Sequence, residues 1–408
     1  MYRFCAPSTW SVPGGRTSSA GRIASHVVSV MSRNALDAAP ARSRSAAGAM
    51  RRTEDKTMIF LRLVCALAAA GAVITAAEAQ GDLRRSPWPA GDEIGMANTL
   101  GPSTWQRCAT YLADAKAKSY ELSHLRSNTM PQSPFGVPLR ERYRPTVGIA
   151  GTRHAFNGEE TVSGEPGAQG TQMDAIGHFA VLPQPWDGKS EFPADTAQYY
   201  GGYKQADVKP TPDSPLQKLG IEKVPPIVTS AVLLDAKSYL GGGNAMQPGQ
   251  VVTATDIEAM LKMEGLERRG LMPGDVLYIY TGWGDNWKDP DTEKFYYTKG
   301  PGLSYDAAQY LAEKQIVLLA LDNPFTDPVA EGFLQGQAAP PPGAPEGLPF
   351  AIHHTNLTQS GIYQIQNANL GALAKDKVWL SCTIILPLRA QGDAGSPVRP
   401  VAIGAPSQ

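Results

Sequence analysis

The sequence predicts an α/β fold, and three observations predict it. Buried-type aliphatic and β-branched runs recur at 227–234, 276–280, 316–321 and 378–388. Amphipathic stretches of helical period separate them. No self-similarity at a fixed period occurs, which leaves helices layered on a sheet as the economical way to bury both kinds of segment.

Each element has a local reason. Residues 227–234 (Ile-Val-Thr-Ser-Ala-Val-Leu-Leu) end at Asp235 and read as a buried strand. Thr255-Asp256-Ile257-Glu258 reads as a capping box, in which Thr255 accepts an amide proton and Glu258 reaches back. Ile257, Met260 and Leu261 then form one apolar helical face, and Gly265 is the expected stop. Gly274-Asp275 is a turn into the strand 276–280. Residues 305–314 carry a helical pattern, 316–321 a third strand and 378–388 a fourth. Residues 335–349 contain Pro340-Pro341-Pro342-Gly343 and must be a loop, which could border a pocket because a histidine pair follows. Gly241-Gly242-Gly243-Asn244 lacks the Lys-Ser/Thr of a phosphate loop and reads as a plain turn.

The N-terminal part reads as a leader. Residues 58–79 hold an apolar stretch of signal-peptide length ending in Ala77-Glu78-Ala79, a small-x-small cleavage site. The apolar run 63–77 is short for a membrane anchor and mostly alanine, so no stable anchor is expected. Arg51-Arg52 is followed by Glu54 and Asp55, which argues against a twin-arginine signal. Residues 1–57 are Ser-, Ala- and Arg-rich; they read as a disordered or non-native extension upstream of a start at Met50 or Met58. The working domain is therefore expected at 80–408, and its compartment outside the cytoplasm, secreted or periplasmic. Arg84 to Pro89 reads as a linker.

Residues 80–408 carry 27 basic and 34 acidic side chains. That acidic balance, with no basic stripe, excludes nucleic acid as a partner. Cys108 and Cys382 are the cysteines outside the leader; they could pair in an oxidising compartment or stay as two buried thiols. No Cys/His cluster suggests structural zinc.

The most informative stretch is 168–179, Ala-Gln-Gly-Thr-Gln-Met-Asp-Ala-Ile-Gly-His-Phe. It resembles the metal-hydrolase signature H-x-G-T-H-x-D-x-x-x-H-F with Ala168 and Gln172 where histidines are expected. Four further segments resemble the same family in order. They are Gly91 to Asn98; Pro273-Gly274-Asp275-Val276 with Thr281-Gly282-Trp283-Gly284; His354 with Gly361-Ile362-Tyr363 and Gln366-Asn367; and Gly395 to Ile403. Together they are similar to the cyclase family that includes kynurenine formamidase and isatin hydrolase, in a long variant with G-T-Q-x-D.

That resemblance implies a swivelling β/β/α domain, with a mixed barrel-like sheet and flanking helices. It implies a homo-oligomer, dimer or tetramer, that hydrolyses a small amide, lactam or ester with one divalent ion, Mn or Zn. The family's default substrate, formyl-kynurenine from tryptophan catabolism, fits awkwardly with a secretory signal. The ligand set the resemblance implies is Gln172, Asp174, His354 and Gln366, the last at a family glutamate position. His178 takes the role of general acid/base, four residues beyond Asp174 and so on the same face of a helical turn. His353 neighbours His354, and register picks His354. Gln169, His154 or Glu165 could fill the place that Ala168 leaves.

Two lost imidazoles and one lost carboxylate weaken any metal site and shift it toward oxygen-preferring ions. They also open another reading, a non-catalytic small-molecule binding protein. A cyclase or dehydratase using Asp174 or His178 as base is a third. Phe156, Phe179, Trp186, Tyr199, Tyr200 and Trp283 are candidates for the pocket wall.

Overall fold

A computed structural model describes residues 86–407. The leader expected at 1–57 and 58–79 lies outside the described residues. The strands in chain order are β1 (Lys118–Glu121), β2 (Arg140–Arg142), β3 (Thr146–Gly148), β4 (Ala155–Asn157), β5 (Thr161–Ser163), β6 (Gln172–Asp174), β7 (Ile227–Asp235) and β8 (Val251–Val252). They continue as β9 (Val276–Tyr280), β10 (Gly302–Leu303), β11 (Leu318–Leu321), β12 (Tyr363–Gln366), β13 (Leu380–Ile385), β14 (Gly395–Pro397) and β15 (Val401–Gly404). Three longer helices are α1 (Pro102–Leu112), α2 (Ala254–Met263) and α3 (Tyr305–Glu313).

Nine strands form one mixed sheet, curled into a half-barrel, in the order β1-β15-β13-β7-β9-β11-β12-β6-β14. The centre β7-β9-β11-β12 is parallel, and both flanks are antiparallel. This is the mixed, barrel-like α/β sheet that the family resemblance implies. The parallel centre explains the unbroken apolar runs, because its strands are buried on both faces. In β9, Val276, Tyr278 and Tyr280 enter one core, while Leu277 and Ile279 enter the other. In β11, Leu318 and Ala320 face the first core, and Leu319 and Leu321 the second. Helices α2 and α3 cover the second core with Ile257, Met260 and Leu261 and with Ala307, Ala308 and Leu311.

Several boundaries move. The capping box of α2 begins two residues before Thr255: Thr253 accepts from the Asp256 amide, and the Asp256 carboxylate accepts from the Thr253 amide. Aspartate closes the box as well as Glu258 would, and an earlier start places Ile257 on the inner face. The third and fourth strands start two residues later than their apolar runs, with 316–317 and Val378 buried and Trp379 half-buried in approach to the sheet, and the fourth ends at Ile385, since Leu386 and Leu388 are exposed. The described part of the linker, 86–89, packs onto the domain: Ser86 Oγ meets Tyr200 OH at 2.6 Å, and Trp88 is half-buried.

The family segments act as braces. Asp275 of the Pro-Gly-Asp turn is fully buried and accepts from Arg269, Arg107, Ser230 and the Met272 amide. Asp322, at the end of β11, accepts from the Thr281 hydroxyl at 2.6 Å and the Gly284 amide at 3.1 Å, which holds the Thr-Gly-Trp-Gly loop. Gly95 must be glycine: a Cβ there would meet the Gly361 carbonyl oxygen at 2.4 Å, and its φ is +53°. Cys108 and Cys382 form a disulfide that ties α1 to β13.

A separate double ribbon projects from the body. β2 pairs with β5 and β3 with β4, and Tyr143, Val147, Ile149, Phe156 and Val162 on or beside them are exposed.

Glu264, after α2, carries a stability consequence. Burial pushes its carboxyl up from 4.5 to about 8, against the Asp235 amide that donates to Oε1 at 2.8 Å and with the Asp235 charge. Oε2 is buried without a partner. The unfolded chain ionises this group near pH 4.5 and the folded chain near 8. Stability is therefore lost as pH rises through that window, because the unfolded state binds fewer protons there. Glu264→Gln is expected to stabilise the fold at pH 8.5 by on the order of a few kcal/mol and to change little at pH 4. Urea denaturation at both pH values checks this; equal effects at both would contradict it.

Candidate functional site

Strand β6 is short because its neighbours compel its shape. It is sandwiched between β12 and β14, with Gln172 opposite Gln366 and Pro397, and Asp174 opposite Gln364 and Gly395. Period-2 alternation sends Met173 and Ile365 into the core and leaves Gln172, Asp174, Gln364 and Gln366 on the other face. Residues 192 to 194 apart in sequence thus become neighbours.

Gln366 Nε2 donates to Asp174 Oδ2 at 2.6 Å, and Gln172 Nε2 donates to Gln366 Oε1 at 3.2 Å. Three of the four expected ligand residues therefore converge. The fourth, His354, does not: its ring pairs with the Thr358 hydroxyl at 2.8 Å and the Gln359 side chain at 3.1 Å, and it is 1% exposed. His353 takes its place, with Nε2 at 3.6 Å from Asp174 Oδ2 and 3.4 Å from Gln366 Nε2. The cause is local. Both residues lie where a helical turn (Ala351–His353) passes into a π-helix (His354–Ser360), so adjacent side chains point about 100° apart.

His353 is held from behind by Asp327. Its Nδ1 meets Asp327 Oδ2 at 2.5 Å, and Asp327 Oδ1 accepts from the Ile352 amide at 2.7 Å. Burial lowers the His353 pKa, but the hydrogen bond and charge of Asp327 and the charge of Asp174 outweigh it, so the imidazole is more basic than usual. Pro341, Pro342 and Pro349 of the expected loop share a small cleft with Asp327 and Ile352.

His178 is a correction as well. β6 ends at Asp174, Ala175 is extended, and Ile176–His178 is a 3₁₀ turn, so Asp174 and His178 share no helical face. His178 is exposed and makes no hydrogen bond to Asp174 among the described residues. The connection is Phe179, whose ring centre lies 5.5 Å from that of His353. Of the other expected wall residues, Tyr199 and Tyr200 are in the main core, Trp283 is in a separate aromatic cluster, and Phe156 is on the ribbon. Trp186 packs on Phe192.

The substitutes for Ala168 are occupied elsewhere. Gln169 bridges the Ser133 backbone, Glu165 accepts from the Val137 amide at 3.1 Å, and His154 is exposed beside the ribbon.

Asp327 escaped the sequence reading, and Asn367 entered it only as a match to a family segment, with no role. Asn367 sits at φ +58° and donates to the Gly170 carbonyl at 2.6 Å and to Tyr297 OH at 2.9 Å. The Thr171 hydroxyl donates to the Asn367 carbonyl at 2.6 Å and accepts from the His124 amide at 2.9 Å. His124 stacks on Trp287 with ring centres 4.2 Å apart; burial pushes it down to about 4, so it is neutral, and its Nε2 is buried without a partner. A carboxylate just past the carboxyl end of a parallel strand was the available signal for Asp327.

The donor chemistry does not fit a divalent ion. Among the described residues no group of three or more His, Cys, Asp or Glu side chains is placed to hold a metal ion. The centre offers one carboxylate and one imidazole, and the carboxylate already accepts an amide proton.

Comparison with known proteins agrees with this architecture. Residues 120–328 match the family described as "Putative cyclase", and the chain belongs to that family. A crystal structure of "a novel cyclase" is 22% identical, with a TM-score of 0.61, and the match covers 78% of this chain and 99% of that one. Isatin hydrolase A from Ralstonia solanacearum is 18% identical over 75% of this chain and 98% of its own, with a TM-score of 0.46. A protein described as a potential metal-dependent hydrolase with cyclase activity is 16% identical over 71% and 98%, with a TM-score of 0.38. No curated protein matches the chain.

Asn367→Ala removes two buried donors and places a Cβ residue without local hydrogen bonds at positive φ. It is expected to cost about 2–3 kcal/mol of stability by urea denaturation. A change below about 0.5 kcal/mol, the size of an ordinary surface substitution, would show that this residue does not hold β12 to the Gly170 turn.

Proposed function

We propose that the chain is a hydrolase of small acyl compounds: an amide, a lactam or an ester. The observation that carries the reading is the imidazole of His353 set between two carboxylates, 2.5 Å from Asp327 and 3.6 Å from Asp174. Asp327 holds the Nδ1 proton and leaves Nε2 facing the site. There it takes a proton from a water whose oxygen bonds to the acyl carbon. The same proton then passes to the leaving nitrogen or oxygen as the C–N or C–O bond breaks, which releases an acid and an amine or alcohol. Asp174 favours the protonated ring, and the half-exposed Gln172 amide is the donor assigned to the carbonyl oxygen. His178 belongs to the rim.

The second reading, a binding protein, is favoured by the missing metal donors. An aryl formamide such as formyl-kynurenine, a lactam and an aryl ester form the first substrate panel. Hydrolysis is expected for at least one, with kcat reduced about 10²–10⁴-fold in His353→Ala and Asp327→Ala and largely kept in His178→Ala. Ligand-induced stabilisation with no turnover of any acyl compound would favour the binding protein.

We also place the mature chain outside the cytoplasm, as the signal-like leader and the Cys108–Cys382 disulfide support. No helix of the described residues is long and apolar enough to cross a membrane. Assembly as a dimer or tetramer is part of the proposal, and the apolar ribbon around Val147 and Phe156 is the surface it would cover. Light scattering is expected to give a multiple of the chain mass, and a monomer at all concentrations would contradict this.

A further inference from the structure

We infer that the centre of this site is closed by hydrogen bonds instead of a metal ion, with the Gln366 carboxamide standing where a cation would lie. The inference rests on reading the Asp174 cluster as the working site.

The geometry begins with three atoms. Asp174 Oδ2 and His353 Nε2 are 3.6 Å apart, about the separation of two groups that share one ion. Gln366 Nε2 lies 2.6 Å from the first and 3.4 Å from the second. An amide nitrogen with its protons therefore already sits against both groups. A cation shared by Asp174 Oδ2 and His353 Nε2 would have to take the place of that nitrogen and its charge-assisted hydrogen bond.

The amide is held in this orientation. Gln172 Nε2 donates to Gln366 Oε1 at 3.2 Å, which turns the Gln366 oxygen away from the carboxylate. Reversing Gln366 would put a carbonyl oxygen 2.6 Å from a carboxylate oxygen and an N–H against an N–H. The series Gln172→Gln366→Asp174 thus donates in one direction and ends on the negative charge. Gln366 meets Asp174 through its nitrogen, so its oxygen does not serve as a neutral ligand beside that carboxylate.

Charge points the same way. Asp174 is the one carboxylate at the centre. Asp327 is committed to the far side of the imidazole and to the Ile352 amide. Gln172 Oε1 is buried without a partner, but one neutral acceptor is too little to hold a divalent ion. The N–H of Gln366 is a fitting donor for that one buried carboxylate.

The test uses the full mature chain, expressed with manganese and zinc supplements. Metal content is measured after gel filtration, and melting temperature is measured with MnCl2, ZnSO4 or EDTA. The wild type is expected to carry no stoichiometric metal and to melt at one temperature in all three. Gln366→Glu places a second carboxylate against Asp174. It is expected to melt lower than the wild type in EDTA, to recover with manganese, and to go from essentially no metal to a stoichiometric ion. A stoichiometric ion in the wild type would overturn the inference, as would a Gln366→Glu protein whose response to metal matches the wild type's. If Gln366→Glu fails to fold, the wild-type metal content decides alone. Acyl hydrolysis by a metal-bound wild type would refute this inference and leave the hydrolase reading intact. A metal-free wild type that hydrolyses no acyl compound would do the reverse.

Discussion

The hydrogen bond from Gln366 to Asp174 is the constraint on which the site depends. It crosses from β12 to β6, two short strands whose pairing unites the first and last thirds of the domain. Asp174 is 2% exposed, and a carboxylate so buried needs a partner. The amide supplies that partner, and against burial the hydrogen bond and charge of Asp327, with a smaller contribution from Asp174, make His353 more basic than usual. Without the amide, a buried carboxylate oxygen would be left without its donor.

Everything around that bond limits its freedom. β14 braces β6 from the far side; Gly395 lies so close to the Gly167 carbonyl that a Cβ would meet it at 3.0 Å. Asn367 ties the end of β12 to Gly170 and Thr171. Asp327 caps the short helix that presents His353, and its carboxylate is well placed at the amide end of that helix. The site is therefore assembled from strand ends and turns, each fixed by a buried polar contact.

The sheet was legible in the sequence where burial is two-sided. β7, β9 and β11 gave continuous apolar runs, and α2 and α3 gave clear helical faces, so class and order could be read directly. Boundaries were less legible, because 316–317 and 378–379 are apolar for packing without being paired. At the site, Gln172, Asp174 and Gln366 could be picked out by family likeness, since strand register carries them to one face. Register picks His354 and the structure presents His353, because adjacent histidines differ only in where a helical turn points them, and here a π-helix begins between them. His178 was assigned a helical relation to Asp174 that the strand β6 does not permit. Asp327 carries no spacing signal, as its partner lies 26 residues away.

Glutamine at two ligand positions is physically more conservative than it looks. An amide keeps the size and planarity of a carboxylate while exchanging one acceptor for a donor. At Gln366 the exchange is complementary: the cation and one negative charge leave together, and an N–H meets the one acid that stays. The most direct measurement is anomalous diffraction from crystals soaked in manganese. The account predicts no peak near Asp174 and a Gln366 nitrogen still bonded to its carboxylate. A peak about 2.1–2.2 Å from Asp174 Oδ2, with the Gln366 oxygen turned toward it, would contradict the account.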